Sequence, residues 1–250
     1  MSSQKVIGVI PARYASSRFP GKPLANINGK LMIRRVYEQA KKANGLNKVI
    51  IATDDDRIFN AAKQFNAEVM MTRADHQSGT DRCREIVEKL EDKEQFDIVV
   101  NIQGDEPFIE PKQIDEVIAL FSDPEVQIAT LIKKIDEQSS LFDANVNKVI
   151  FDHKKFAIYF SRHPIPFQQH LPKEEWIKKF AYYKHIGMYA YKTETLKKIT
   201  TLAVSKLEKA ESLEQLRWIE NGYRIKVGIT SFESLAIDRP EDLLKIMSNP

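Results

Sequence analysis

Three cations crowd one short loop. Arg13, Arg18 and Lys22 lie within Ile10-Pro11-Ala12-Arg13-Tyr14-Ala15-Ser16-Ser17-Arg18-Phe19-Pro20-Gly21-Lys22-Pro23-Leu24, directly after the apolar run Val6-Ile7-Gly8-Val9-Ile10. Guanidinium forks grip phosphate oxygens bidentately, an ammonium adds a point charge, and small residues let the backbone come close. A solvated loop accounts for any one of these cations alone. Three of them beside Pro11-Ala12 and Gly21, at the end of a buried strand, point to polyphosphate binding. Neither G-x-x-x-x-G-K-[ST] nor G-x-G-x-x-G is present, so the familiar nucleotide fingerprints are excluded.

Other candidate residues also follow apolar runs. Asp105 comes after Ile98-Val99-Val100-Asn101-Ile102 through Gln103-Gly104, a place suited to a magnesium carboxylate; Gly-Asp-Glu-Pro is equally good turn chemistry. Asp238 offers a second carboxylate or an N-cap for a last helix. Ser78-Gly79-Thr80 opens a helix whose amides can meet an anion or simply be capped. Arg73 and His76 precede it and read equally as loop surface. Ser212-Leu213-Glu214-Gln215 matches a capping box, which accounts for Gln215 without a ligand. His185 and Tyr189 share one face of an expected strand with Tyr183 and Gly187, where packing is the commoner role. Asp54-Asp55-Asp56 reads as a helix start. The sequence holds no Ser-His-Asp or Cys-His arrangement and no clustered zinc ligands.

The elements that must position these residues alternate. Strands are expected over 5–11, 48–52, 67–71 and 97–102, with helices over 31–43, 55–65, 80–91 and 111–122. The strands are continuous hydrophobic runs, as in a parallel sheet covered on both faces. Beyond about residue 126 strands dominate (127–133, 148–152, 156–161 and 181–191), followed by a helix 212–221, a strand 224–230 and a helix 240–247. The pattern predicts a doubly wound α/β fold with a mixed, more antiparallel part. Ligands of such sheets sit beyond the carboxyl ends of the strands, where the polar segments fall.

The 250 residues are enough for one large domain. A net charge of +3, with basic and acidic residues interleaved, does not suggest a nucleic-acid binder. The single cysteine, Cys83, excludes an intrachain disulfide and fits a reducing compartment. No apolar run reaches the roughly 18 to 20 residues of a membrane span. The start reads as having no signal peptide, so a cytoplasmic protein is expected.

The motifs Ile10 to Leu24, Ala52-Thr53-Asp54, Met71-Thr72-Arg73-Ala74-Asp75-His76-Gln77-Ser78-Gly79-Thr80-Asp81-Arg82 and Asn101-Ile102-Gln103-Gly104-Asp105-Glu106-Pro107 occur in that order. Tyr159-Phe160-Ser161-Arg162, His185-Ile186-Gly187-Met188-Tyr189, Leu213-Glu214-Gln215-Leu216-Arg217 and Ile237-Asp238-Arg239-Pro240-Glu241-Asp242-Leu243 follow. Together they resemble the 3-deoxy-manno-octulosonate (Kdo) cytidylyltransferases over nearly the whole chain. The resemblance implies a nucleotidyltransferase Rossmann-like, mostly parallel sheet with a mixed, partly antiparallel dimerisation sub-lobe. It implies a nucleotide-binding part of roughly 1–125 plus 224–250 and a sugar-binding, dimerisation part of roughly 126–223. It implies a homodimer that makes CMP-Kdo and pyrophosphate from CTP and Kdo for lipopolysaccharide assembly. CTP would meet Ala12, Arg13, Arg18, Lys22, Arg73, Ser78, Gly79 and Asp105, with Arg13, Lys22 and Asp105 catalytic. Mg²⁺ would sit on Asp105 and Asp238. Gln103, Arg162, His185, Tyr189, Glu214 and Gln215 would contact the sugar, with Arg162 and His185 neutralising its carboxylate. Asp238-Arg239-Pro240 and His163-Pro164-Ile165-Pro166-Phe167 depart from the family's frequent pattern near the sugar, which keeps 8-amino-Kdo in view. A sialic acid as acceptor and a non-catalytic nucleotide-binding module compete with Kdo transfer as readings of the same motifs.

Overall fold

A computed structural model of the chain describes residues 4–15, 19–233, 237 and 239–243. The first half runs β1 (Val6–Ala12), a hairpin of β2 (Asn26–Ile27) and β3 (Lys30–Leu31), α1 (Met32–Ala40), β4 (Lys48–Thr53), α2 (Asp56–Gln64), β5 (Val69–Met71), α3 (Gly79–Leu90), β6 (Ile98–Asn101) and α4 (Pro111–Ala119). The second half adds β7 (Ile128–Lys134), α5 (Gln138–Phe142), β8 (Lys148–Phe151), β9 (Ala157–Ser161), α6 (Trp176–Lys179), β10 (Tyr183–Lys192), α7 (Thr193–Ile199), α8 (Lys206–Glu211), α9 (Gln215–Glu220) and β11 (Ile225–Ile229).

Among the described residues one nine-stranded sheet carries the fold, in the order β11-β7-β10-β6-β1-β4-β5, with the β8–β9 hairpin attached to β10. Strands β5, β4, β1 and β6 are mutually parallel, and β10 runs against both of its neighbours, β6 and β7. Every residue of β1 except Pro11 is buried. Val6 and Ile10 pack on one face with α1 and α4, while Ile7 and Val9 pack on the other with α3 and α7. That two-sided burial is why the strand reads as an unbroken apolar run. The parallel strands follow the order third, second, first, fourth. The order reverses between β1 and β6, and there the loops leave to opposite sides and open a crevice.

Two expectations are corrected. The helix expected over 212–221 begins at Gln215, and Ser212 closes the preceding helix instead, at φ 52° in the left-handed region. The Ser212 capping box therefore does not form; the capping box here belongs to Ser205 and Glu208. On β10 the expected alternation is broken by a register shift between Ile186 and Tyr189, a bulge that re-aims both flanking side chains. Residues 240–243 are helical, and the rest of the helix expected over 240–247 lies outside the described residues. No helix among the described residues is long and apolar enough to cross a membrane.

Candidate active site

The crevice between β1 and β6 holds two clefts that meet. The first, of about 320 Å³, is bounded by the end of β1 (Ala12, Arg13), by Lys22, by the start of α3 (Ser78, Gly79) and by Asp105. Gly21 adopts φ 71° and its N–H donates to the Tyr14 carbonyl at 2.9 Å, which folds the loop back. A short 3-10 turn, Lys22–Leu24, then carries the lysine inward. Ser78 caps α3: its Oγ accepts from Asp81 N–H, and the Asp81 carboxylate accepts from Ser78 N–H. The capped end still faces the cleft. Gly104 is needed for close approach, since a Cβ there would stand 2.6 Å from the Pro11 carbonyl oxygen.

Asp105 lines both clefts, as do Gly79 and Gln103. Lys22 Nζ donates to Asp105 Oδ2 at 2.7 Å, so an ammonium already occupies the carboxylate's cation position. Among the described residues no group of three or more His, Cys, Asp or Glu could hold a metal. One carboxylate facing a phosphate cleft fits a hard cation that takes its remaining oxygens from water and phosphate.

The second cleft, of about 540 Å³, lies on the β10 side. The bulge turns the Gly187 carbonyl toward Gln103, whose Nε2 donates to it at 3.0 Å. Thr130 Oγ lies 2.7 Å from the Met188 carbonyl and 2.9 Å from His185 Nε2. With its one proton given to Met188, the hydroxyl accepts from His185 Nε2–H, which assigns the tautomer and leaves Nδ1 an acceptor. Burial pushes the His185 imidazolium down to about 3, so the ring is neutral. It therefore supplies a hydrogen bond here and not the charge expected of it. The Tyr189 ring lies 5.0 Å from the His185 ring between centroids, tilted by 42°. Glu214 accepts from Thr80 Oγ at 2.9 Å, and its carboxyl is raised because burial disfavours the anion. Of the buried side-chain polar atoms without a partner, those of Asn101, Asn147, Tyr189 and Gln215 belong to residues lining this cleft. Such atoms are costly in a packed interior and suit a polyhydroxylated ligand.

The expected residues thus divide between the clefts, with exceptions. Ala12, Arg13, Lys22, Ser78, Gly79 and Asp105 come together in the first cleft, and Gln103, His185, Tyr189, Glu214 and Gln215 in the second. Arg73 and Arg162 line neither. Arg73 turns outward to pair with Asp75. Arg162 donates to the carbonyls of Glu211, Ala144 and Ser212 and so clamps neighbouring loops. Arg18 and Asp238 lie outside the described residues.

Sequence reasoning missed several supports. Arg82 is 2% exposed and reaches from α3 to Asp54 at 2.8 Å, to Thr72 Oγ and to the Arg73 carbonyl. It ties the ends of β4 and β5 together beside the first cleft. Only Asp55 of the acidic triplet caps α2. Glu85 holds the loop before α3, accepting from Arg73 N–H, His76 and Lys89. Burial alone would raise its carboxyl, but those donors outweigh burial and hold it at about 2. Lys148, fully buried, donates to the carbonyls of Asp143 and Val146 and shapes one wall of the second cleft. For Thr130 the available signal was a lone polar residue inside an apolar run, Ile128-Ala129-Thr130-Leu131-Ile132; Lys148, preceded by Asn147, carries no such signal.

The cytidylyltransferase family model matches residues 7–226. The chain is 54% identical over 248 residues to a 3-deoxy-manno-octulosonate cytidylyltransferase of Parabacteroides distasonis, covering 98% of this chain and 97% of that protein. A protein of the same name from Bacteroides thetaiotaomicron is 56% identical over 243 residues, covering 96% and 95%. Among solved structures, CMP:2-keto-3-deoxy-manno-octonic acid synthetase complexed with CTP superposes with a TM-score of 0.89 at 39% identity, covering 98% of this chain and 97% of that one. A 4-diphosphocytidyl-2C-methyl-D-erythritol synthase from Anaerococcus prevotii, at 12% identity and a TM-score of 0.63, shares the fold alone.

Proposed function

The chain belongs to the 3-deoxy-manno-octulosonate cytidylyltransferase family, and from that premise we propose that it transfers CMP from CTP to the anomeric hydroxyl of Kdo, releasing pyrophosphate. The observation that carries this reading is the pair of clefts meeting at Asp105, one rimmed by cations and the other lined by hydrogen-bonding groups.

In this reading the triphosphate lies along Arg13, Lys22 and the capped start of α3, with Arg18 completing the loop. The Kdo hydroxyl attacks the α-phosphorus in line; that P–O bond forms as the bond to the pyrophosphate oxygen breaks. CTP carries roughly four negative charges, so Arg13 and Lys22 lower the repulsion met by an acidic acceptor and stabilise charge growing on the leaving group. Asp105 and Asp238 would hold Mg²⁺, which when bound screens phosphate charge and acidifies the attacking hydroxyl. Lys22 then exchanges its contact with Asp105 for phosphate. Gln103, His185, Tyr189, Glu214 and Gln215 orient the sugar, and Arg162 supports them through the loops it clamps. Roughly 1–125 with 224–250 form the nucleotide-binding part, from which Gln103 also reaches the sugar, and roughly 126–223 serve the sugar and a homodimer. Phe167, 67% exposed and packed edge-on against Trp176, supports that last assignment. The family's place in cytoplasmic lipopolysaccharide assembly comes with the same reading.

The test is pyrophosphate release from CTP and Mg²⁺ with Kdo, 8-amino-Kdo and a sialic acid. Release with Kdo far above the other two is expected. Turnover preferring another sugar, or CTP binding without turnover, would overturn it.

A further inference from the structure

The second cleft is acidic. Asp105, Glu106, Glu214 and Glu233 all line it, and Lys184 is the one Lys or Arg among its described lining residues. His185 is neutral there and Arg162 is committed to carbonyls, so Lys184 is the lining cation that an acid entering this cleft meets. Lys184 stands directly opposite Lys133 across the antiparallel β10–β7 ladder. Like charges so placed repel, and the pair needs an anion between them. Glu233 provides it: Oε1 accepts from Lys184 Nζ at 2.5 Å and Oε2 from Lys133 Nζ at 2.8 Å. The two lysine side chains are about one-fifth exposed and the glutamate is 41% exposed. Glu233 comes from the segment after β11, outside the sheet. Farther along, Ile237 is buried, with its N–H donating to the Asp105 carbonyl at 3.0 Å.

We propose that Lys184 is the carboxylate-binding residue of the acceptor cleft and that Glu233 occupies it in the free protein, an assignment that rests on the acidic-sugar reading above. The arrangement already displays a carboxylate seated on this ammonium at the cleft wall. An incoming sugar carboxylate takes over Lys184, while Lys133 keeps Glu233 and so keeps its segment in place. The exchange swaps one charge-assisted hydrogen bond for another, so its cost is small. It also rejects uncharged sugars, which cannot displace the glutamate.

The test uses wild type, Lys184→Met, Lys184→Arg and Glu233→Gln, each with CTP, Mg²⁺ and either Kdo or Kdo methyl ester. Thermal melts accompany each variant to establish folding. Lys184→Met should raise the KM for Kdo roughly 10- to 100-fold, the range for losing one charged hydrogen bond. It should also abolish the preference for acid over ester, while KM for CTP stays within about twofold. Lys184→Arg should restore the preference. Glu233→Gln, by removing the competitor, should lower the KM for Kdo. An acid–ester preference that survives Lys184→Met overturns the assignment. A KM for Kdo that rises in Glu233→Gln shows the glutamate to be a support and overturns the exchange. The proposed function fails separately, if wild type releases no pyrophosphate with Kdo.

Discussion

The two clefts share Asp105 but are built by different means. The first cleft, proposed for the nucleotide, gathers backbone from the ends of parallel strands: the β1 loop, the capped start of α3 and the Gln103-Gly104-Asp105 turn. Each is a short segment that directly follows or precedes a regular element. The second cleft, proposed for the acceptor, gathers side chains from β10, the loop before β8, the start of α9 and the segment after β11. It relies on one β-bulge and on buried polar residues that reach across the sheet. A triphosphate is bulky and highly charged, and backbone amides with a few cations can hold it in any frame that brings them close. A sugar is read hydroxyl by hydroxyl and needs side chains fixed by a second layer of contacts.

Removing the shared residue should erase the distinction. Asp105→Asn is expected to abolish turnover at ordinary Mg²⁺ while CTP still binds in an equilibrium titration; near-normal turnover would mean that the clefts do not meet functionally. Lys22→Ala should cost about 2–4 kcal/mol in kcat/KM, as for loss of one preorganised charge-stabilising group. A loss confined to the KM for Kdo would move Lys22 to the other cleft. Thr130→Val should sharpen the contrast: the hydroxyl joining His185 to the Met188 carbonyl is lost, and acceptor kcat/KM should fall by about 1–2 kcal/mol with KM for CTP unchanged.

The smallest effect concerns stability on the nucleotide side. Glu85 has a folded-state value of about 2, below the ordinary 4.5, so the native protein holds this carboxylate ionised more tightly than the unfolded chain does. Its contribution is complete above about pH 4.5 and is lost as pH falls toward 2. Urea titrations should therefore find Glu85→Gln destabilised at pH 6 by up to about 3 kcal/mol, with the difference from wild type shrinking through that window. A difference independent of pH would argue against an ionised Glu85.

Legibility followed the same division. The continuous apolar runs gave the parallel strands to within a few residues, and the polar segments after them supply the residues that line the first cleft. Arg73 shows the limit even there: the resemblance implies a CTP contact for it, yet its side chain pairs with Asp75 in solvent. On the acceptor side Ser212 carried a convincing helix-start signature, but the chain turns left-handed at that residue and the motif has no helix to cap. Spacing alone places His185 and Tyr189 on one strand face. The bulge between them, and the hydroxyl of Thr130 that bonds His185 from 55 residues away, belong to the tertiary structure.

Local sequence sets the apolar strand runs, the cationic loop and the carboxylate at a strand end, because hydrophobic periodicity and turn chemistry act over a few neighbouring residues. Contacts across the fold settle which cations face the clefts and which are committed to carbonyls and carboxylates. Arg13, Arg73, Arg162 and Lys184 are all plausible anion contacts by type. Burial, cross-strand register and competing acceptors separate them, and those are set by contacts between residues far apart in the chain.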